Sequence, residues 1–434
     1  MPKISNLKIN MRRISIIGFG KIGQAIAANI LKQHIHVTAI DTNPGLPKIF
    51  ETEEYETKEP GVGDILTLAY KDSRLLITEN FSLVIDSDAI IMAIPMLIDH
   101  QKKILDAPFL TAIKKIAPYV KSKMLIVIET SVPVSYGRNS VVPALELQGK
   151  MHGTDFLLAY SPERIKSGTM LEQLKQIPKV IGGISKEAAD KAYEIYQWFF
   201  DKKLLHRVES IEAAELLKLA GMIYRDVNIA LSNQLAKFAN ARAIDFAGLI
   251  PLINTDKEAN LLQPGIGVGG HCTPVYPYFL IENFNKAGLD FTLAKQSRSI
   301  NDEMADYAVS LVKDKVKNRK VLILGLSFRP NVKEDALSAA YLLNEVLLKS
   351  GFEVRVHDVE FSEDELKEKG FNAAVNIYDS DCEAAFLVTM HKEYSGIDFE
   401  RLAGSGIKYF VDGRNNITRD KVEKAGIQYI GIGH

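Results

Sequence analysis

Arg13-Ile-Ser-Ile-Ile17, then Gly18-Phe19-Gly20-Lys21-Ile22-Gly23, then Gln24-Ala-Ile-Ala-Ala-Asn-Ile-Leu31 and His36-Val-Thr-Ala-Ile40-Asp41 read as strand, glycine turn, helix, strand and acid. A glycine fingerprint has force only in this context, and here the acid follows the last glycine by eighteen residues. The glycines admit a pyrophosphate to the helix N-terminus, where backbone N–H groups and the helix dipole favour an anion. Asp41 is placed to bind the two ribose hydroxyls and to repel a 2′-phosphate, so the expected cofactor is NAD rather than NADP.

Outward from this unit, strands and helices keep alternating. Asp88-Ala-Ile-Ile-Met-Ala-Ile94 is an apolar strand stopped by Pro95, and Met124-Leu-Ile-Val-Ile128 leads through Glu-Thr to Ser131. Both are expected to end at the cofactor edge of a parallel sheet, which makes Pro95 and Ser131 candidate cofactor contacts. Phe156-Leu-Leu-Ala-Tyr160 repeats the pattern, and Pro162 then breaks the strand and presents Glu163, a seat for an acid or base.

From Ile211 to about Phe246 there is no proline and one glycine, Gly221, while apolar residues recur at three to five positions. That spacing predicts one amphipathic helix ~50 Å long, able to bridge two domains and to carry a dimer interface. Lys218, Met222 and Arg225 fall on one of its faces. The nucleotide-binding pattern then restarts: Lys320-Val-Leu-Ile-Leu324 enters the turn Gly325-Leu-Ser-Phe-Arg329, a helix is expected over Leu337 to Lys349, and Phe352 to Val356 is a second strand before Asp358. Ala384 to Thr389 and Tyr409 to Asp412 read as later strands. The fold class is α/β, with two Rossmann-like doubly wound parallel-sheet domains joined by a long central helix. The expected boundaries are 1–205 for cofactor binding, 206–317 for a central helical, dimer-forming part and 318–434 for the second nucleotide-binding domain.

Composition points to a soluble enzyme. With 434 residues, 53 Lys+Arg and 54 Asp+Glu, the chain has room for several cores and no bulk charge to attract nucleic acid or an anionic membrane. Two distant cysteines form neither a disulfide framework nor a metal-ligand spacing, so no metal is expected and a reducing cytoplasm is. No apolar run reaches the ~18 residues of a membrane helix. The first ten residues are too polar for a signal peptide, and Met11 is a candidate start with residues 1–10 as a disordered extension.

One of the cysteines stands in Gly265-Ile-Gly-Val-Gly269-Gly270-His271-Cys272-Thr-Pro274. A thiol among glycines suggests covalent chemistry, because bare backbone brings N–H groups close to developing negative charge.

Taken together, the glycine fingerprint, Ser161-Pro162-Glu163, Ala214-Glu215-Leu-Leu-Lys218, Gly267-Val-Gly-Gly270-His-Cys272, Ile300-Asn301-Asp302-Glu303, Gly325-Leu-Ser-Phe-Arg329-Pro330 and Asp412-Gly-Arg414 resemble the UDP-glucose/GDP-mannose dehydrogenase family over nearly the whole chain. Glu163-Arg164 and Arg225-Asp-Val-Asn228-Ile-Ala230 are similar to its branch acting on UDP-N-acetylhexosamines, that of UDP-N-acetylmannosamine dehydrogenase. The resemblance implies a four-electron, NAD-dependent oxidation of a C6 alcohol to a carboxylate, with Cys272 as nucleophile, Lys218 stabilising oxyanions and Glu163 activating water. It implies substrate contacts from Arg164, Arg225, Asn228, Gly269, Gly270 and Arg329, a UDP-sugar as the small-molecule partner, and a homodimer. Three positions depart from the family pattern. Met222 replaces an asparagine, Tyr276 an aspartate and Ala336 an arginine, and their clustering keeps open a paralogue that binds both ligands with altered or no oxidation.

Overall fold

The computed structural model describes residues 11–434, so the expected N-terminal extension lies outside the described residues. The described chain divides into two compact units, one running to residue 220 and including 278–283, the other made of 221–277 with 284–434.

The first unit is built on an eight-stranded sheet: β1 (Arg13–Ile17), β2 (His36–Ile40), β3 (Leu75–Thr78), β4 (Ala89–Met92), β5 (Met124–Ile128), β6 (Phe156–Tyr160), β7 (Lys179–Gly183) and β8 (Leu205–Arg207). Its order is β8-β7-β6-β5-β4-β1-β2-β3. From β3 to β6 every pairing is parallel, as the alternating pattern predicts. Strands β4, β5 and β6 are buried throughout, as expected where both faces of a sheet are covered. The departure is β7, which runs antiparallel to β6, with Ala159 opposite Gly183 and Tyr160 opposite Gly182. Helix α1 (Lys21–Leu31) follows the glycine turn, and α2 (Lys186–Tyr196) follows β7 with Ser185 capping the Ala188 N–H.

Helix α3 (Ile211–Arg242) has 32 residues, its first ten in the first unit and the rest in the second. It stops four residues short of Phe246, because Ala243 adopts a left-handed φ of 51° and the Ile244 N–H returns to the Ala239 carbonyl. Asp245 then caps the next short helix through the Gly248 N–H.

The second unit carries a wholly parallel sheet of β9 (Lys320–Leu324), β10 (Glu353–His357), β11 (Ala384–Leu387), β12 (Tyr409–Asp412) and β13 (Gln428–Gly431), in the order β10-β9-β11-β12-β13. Helix α4 (Ala339–Lys349), between β9 and β10, begins two residues later than the apolar spacing suggests. Leu337 takes a φ of 45°, outside helical space, and Ser338 caps the Ala340 N–H. Two Rossmann-like units sharing one long helix are therefore what the sequence pattern specified.

The first turn of each unit has the same construction. Gly18 donates its N–H to the Ile40 carbonyl and Gly325 to the His357 carbonyl, both at 2.8 Å, with φ of +92° and +97°. A Cβ at Gly325 would stand 2.7 Å from the Cβ of Thr389 and 2.8 Å from its main chain. Gly325→Ala therefore combines left-handed strain with a backbone clash, together worth about 2–4 kcal/mol. The expected outcome is a clear drop in the urea midpoint of this unit's transition; an unchanged midpoint would contradict the packing.

Candidate active site

In the first unit, the glycine turn is closed by the acid at the end of β2. Asp41 accepts the Phe19 N–H at 2.6 Å on one oxygen and the Asn43 N–H at 3.0 Å on the other. The Phe19 ring is buried, and its carbonyl accepts the Gln24 side chain at 2.9 Å, so this residue shapes the turn from beneath. At Gly20 an added Cβ would meet no described protein atom within 4 Å. No described side chain caps the N-terminus of α1, which leaves first-turn N–H groups for an anion. Open space above Gly20 and an uncapped helix start fit a dinucleotide pyrophosphate. Lys21 and Pro95 are exposed, Ile22 is half-buried, and Ser131 is buried beyond β5.

Around Ser131 the backbone is pinned from α3. The buried Glu215 accepts the Ser135 N–H at 2.5 Å and the Gly137 N–H at 3.0 Å, while burial pushes its carboxyl up to about 8 against those two bonds. Thr130 ties the same segment to the end of β4 through the Ile94 carbonyl at 2.6 Å.

Lys218 and Glu163, far apart in sequence, are brought together. Both are buried, and the Lys218 ammonium donates to the Glu163 main-chain carbonyl at 2.7 Å. The Glu163 carboxylate accepts the Arg164 N–H at 2.8 Å and an ion pair from Lys179 at 2.7 Å. Lys179 bonds Glu129 on its other side at 2.6 Å, and the Tyr196 hydroxyl closes the chain on the second Glu129 oxygen. Burial pushes the Glu129 carboxyl up to about 7, with the Lys179 charge opposing it. Sequence reasoning passed over Glu129, Lys179 and Tyr196. The available signal was a charge standing directly at each end of an otherwise apolar strand, Glu129 after β5 and Lys179 opening β7. The Arg164 guanidinium, expected at the substrate, bonds the Pro178 carbonyl and so braces the chain leading into Lys179.

In the second unit, the loop bearing Cys272 is held by a buried polar chain. Asn233 on α3 accepts the Gly265 N–H at 2.9 Å and donates to Asn301 at 2.9 Å, and Asn301 donates to Asp226 at 2.8 Å. Arg298 completes it with a 2.6 Å ion pair to Asp226. Asn228 takes part in the same scaffold: its amide donates to the Asn260 carbonyl at 2.7 Å and accepts the Leu262 N–H at 2.8 Å. This places it as a fastener of loop 260–262.

The glycines of the loop are required for packing. A Cβ at Gly269 would lie 2.8 Å from Phe328 and 3.0 Å from the Leu337 carbonyl, and one at Gly270 would strike the Phe328 ring. The Gly270 N–H, expected to face a ligand, donates to the Ala336 carbonyl at 2.8 Å. Cys272 is half-buried, and its carbonyl accepts the Tyr276 N–H at 2.9 Å, which starts the helix Tyr276–Lys286. Met222, Tyr276 and Arg329 are half-buried and Arg225 is exposed. Among the described residues no group of His, Cys, Asp and Glu is arranged to hold a metal ion, and no helix is long and apolar enough to cross a membrane.

The glycine turn generates a direct test. A Cβ at Gly23 would collide with the Gly18 carbonyl oxygen, so Gly23→Ala must open the turn. At about 1–3 kcal/mol of overpacking, the Kd for NAD should rise roughly tenfold or more in a calorimetric titration. Unchanged affinity would remove NAD from this turn.

Comparison with known proteins covers nearly the whole chain. Models of the UDP-glucose/GDP-mannose dehydrogenase family match the chain in three consecutive pieces, the NAD binding domain at residues 12–200, the central domain at 212–303 and the UDP binding domain at 322–419. The UDP-N-acetyl-D-mannosamine dehydrogenase of Methanocaldococcus jannaschii is 30% identical over 97% of this chain and 96% of its own. A solved structure of UDP-D-ManNAc dehydrogenase from Pyrococcus horikoshii superposes with a TM-score of 0.87 at 27% identity, covering 97% of this chain and 99% of that one. Another, described as an NDP-N-acetyl-D-galactosaminuronic acid dehydrogenase from Methanosarcina mazei, gives a TM-score of 0.83 at 25% identity over 98% and 95%. With all three family domains present in order and the cofactor turn intact, the chain belongs to the UDP-glucose/GDP-mannose dehydrogenase family and is an NAD-dependent nucleotide-sugar dehydrogenase.

Proposed function

We propose that this enzyme oxidises the C6 alcohol of a UDP-N-acetylhexosamine, UDP-ManNAc or UDP-GlcNAc, to the uronate through a covalent Cys272 adduct. The observation that carries the reading is the buried pair in which the Lys218 ammonium sits on the Glu163 carbonyl and the Glu163 carboxylate is held in one orientation. A cation fixed on the main chain of a residue whose carboxylate is itself fixed serves two charge-separating steps, stabilisation of an oxyanion and removal of a proton from water. The sugar class is supported by the relatives, which are named for N-acetylated hexosamines of more than one configuration.

NAD bound at the glycine turn supplies the hydride acceptor for each two-electron oxidation. The first oxidation removes a hydride from C6 and a proton from its hydroxyl, leaving an aldehyde. The Cys272 thiolate adds to that carbon, forming a C–S bond, and the carbonyl oxygen becomes an alkoxide that the Lys218 charge stabilises and that takes up a proton. Loss of a second hydride and a proton from this thiohemiacetal gives a thioester. Glu163 then takes a proton from water as the water attacks C6, the C–S bond breaks, and the thiolate and the uronate separate. We assign Gly18, Gly20, Gly23, Asp41 and Ser131 to the cofactor, and Arg225 and Arg329 to anchoring the anionic substrate. Gly269 and Gly270 serve the site through the close packing of the Cys272 loop. Residues 1–205, 206–317 and 318–434 are taken as the cofactor, central and UDP-sugar segments.

A homodimer in the cytoplasm is part of the same reading. Helix α3 leaves Tyr224, Leu231 and Phe238 more than half exposed, at 56%, 52% and 59%, an apolar surface suited to a second copy. Both cysteines are free, in keeping with a reducing compartment. Sedimentation should give the mass of a dimer, with Phe238→Glu shifted toward the monomer; a monomeric wild type would exclude this assembly.

Purified protein given UDP-ManNAc, UDP-GlcNAc and UDP-glucose in turn should release two NADH per molecule of one N-acetylated sugar. Cys272→Ser should lower that turnover by at least about 10³-fold while NAD still binds. One NADH per sugar would mean that oxidation stops at the aldehyde. No NADH from any sugar, with both ligands binding, would identify a paralogue in which Met222 and Tyr276 have ended the chemistry.

A further inference from the structure

The reversal of β7 sets a lysine among the carboxylates at the edge of the sheet. β5 and β6 are neighbours and parallel, so Glu129 and Glu163, which follow them, leave the sheet on the same side. In the antiparallel β6/β7 register Tyr160 faces Gly182, and continuing it brings position 163 opposite position 179. A parallel β7 would start at the other edge, with its lysine a strand length away.

The resulting triad is almost without solvent: the side chains of Lys179, Glu129 and Glu163 are 3%, 0% and 6% exposed. A buried ammonium is tolerated only when paired and hydrogen-bonded, and two buried carboxylates this close need a cation between them. The geometry supplies both conditions. Lys179 gives one N–H to each carboxylate, at 2.6 and 2.7 Å, and Tyr196 from α2 fixes the far oxygen of Glu129. On the other side of Glu163 the Lys218 ammonium occupies the main-chain carbonyl.

We propose that Lys179 is a positioning residue for the reaction: clamped by Glu129 and Tyr196, it orients the Glu163 carboxylate toward the water that cleaves the thioester. The proposal rests on the reading of Glu163 as the hydrolytic base. Lys179 reaches Glu163 only through the carboxylate, so its effect must pass through that group. The titratable groups that face Glu129 are Lys179, Glu163, Tyr196 and Tyr160. Burial raises the Glu129 carboxyl, so a falling pH protonates it and leaves the ammonium to Glu163, whereas a rising pH ionises it and makes the two carboxylates share the charge.

The test is a double-mutant cycle on the full-length enzyme, read as kcat and KM for NADH release. Lys179→Met should lower kcat about 10²-fold, the scale of a misplaced catalytic group. KM for the sugar should change by less than about threefold, and Lys179→Arg should recover most of the rate. In a Glu163→Gln background Lys179→Met should cost nothing further, since its only route of action is already gone. Glu129→Gln, nearly isosteric, should abolish an inflection of kcat near pH 7 and keeps the test open if Lys179→Met fails to fold. Equal losses from Lys179→Met in both backgrounds, or an unaltered pH profile in Glu129→Gln, would overturn the positioning role and leave the assignment of Glu163 standing. Undiminished turnover in Glu163→Gln would instead remove Glu163 as the base.

Discussion

An ammonium withdrawn from water must be neutralised where it stands, and in the first unit that requirement is met by Lys179 lying between Glu129 and Glu163. Three strands converge on this one charge. The segment after β5, the turn after β6 and the first residue of β7 are tied at the same sheet edge, and Lys218 adds α3 through the Glu163 carbonyl. An ion pair of this kind contributes little net stability, because desolvation offsets most of its attraction. Its consequence is geometric: a displaced partner leaves an unpaired buried charge, so few alternative arrangements of the strand ends are permitted.

The two units show how one motif is put to different uses. Each has a strand, a left-handed glycine and an acid at the end of the next strand that receives main-chain N–H groups. Asp41 accepts Phe19, while Asp358 accepts Leu326 and Ser327 at 2.6 and 2.8 Å. They differ in what else reaches the acid. Asp41 is partly exposed, whereas Asp358 is buried and bonded to His391 at 3.1 Å, and His391 in turn accepts the Asn331 N–H. A buried carboxylate already bonded to an imidazole is less open to a ribose than the partly exposed Asp41.

Local signals served well where one element decides the outcome. Strands such as Arg13–Ile17, Met124–Ile128 and Lys320–Leu324 are contiguous apolar runs with nowhere to go but the interior, and their limits were legible. Helix ends were less so: Leu337 is a good helix former placed in left-handed space by the turn before Ser338, and the long helix ends at Arg242, before a left-handed Ala243, with no glycine to announce it. The glycines beside Cys272 carry a packing requirement that their composition does not reveal. Gly269 and Gly270 have the composition of a ligand loop, yet they are small because Phe328 and the Leu337 carbonyl press against them. Asn228 and Arg164 occupy motif positions of binding residues and also hold main-chain carbonyls.

The sequence by itself determined the fold class, the cofactor turn, the family and the membership of Glu163, Lys218 and Cys272 in its motifs, because each depends on residues close together or on a pattern that local geometry enforces. Only the tertiary structure decided which charges meet. The antiparallel entry of β7 moves Lys179 to the edge occupied by Glu129 and Glu163, and no spacing along the chain reveals the direction of a strand. Pairing of buried charges is settled by the sheet register, at separations of 16 and 50 residues, where local preference has no influence.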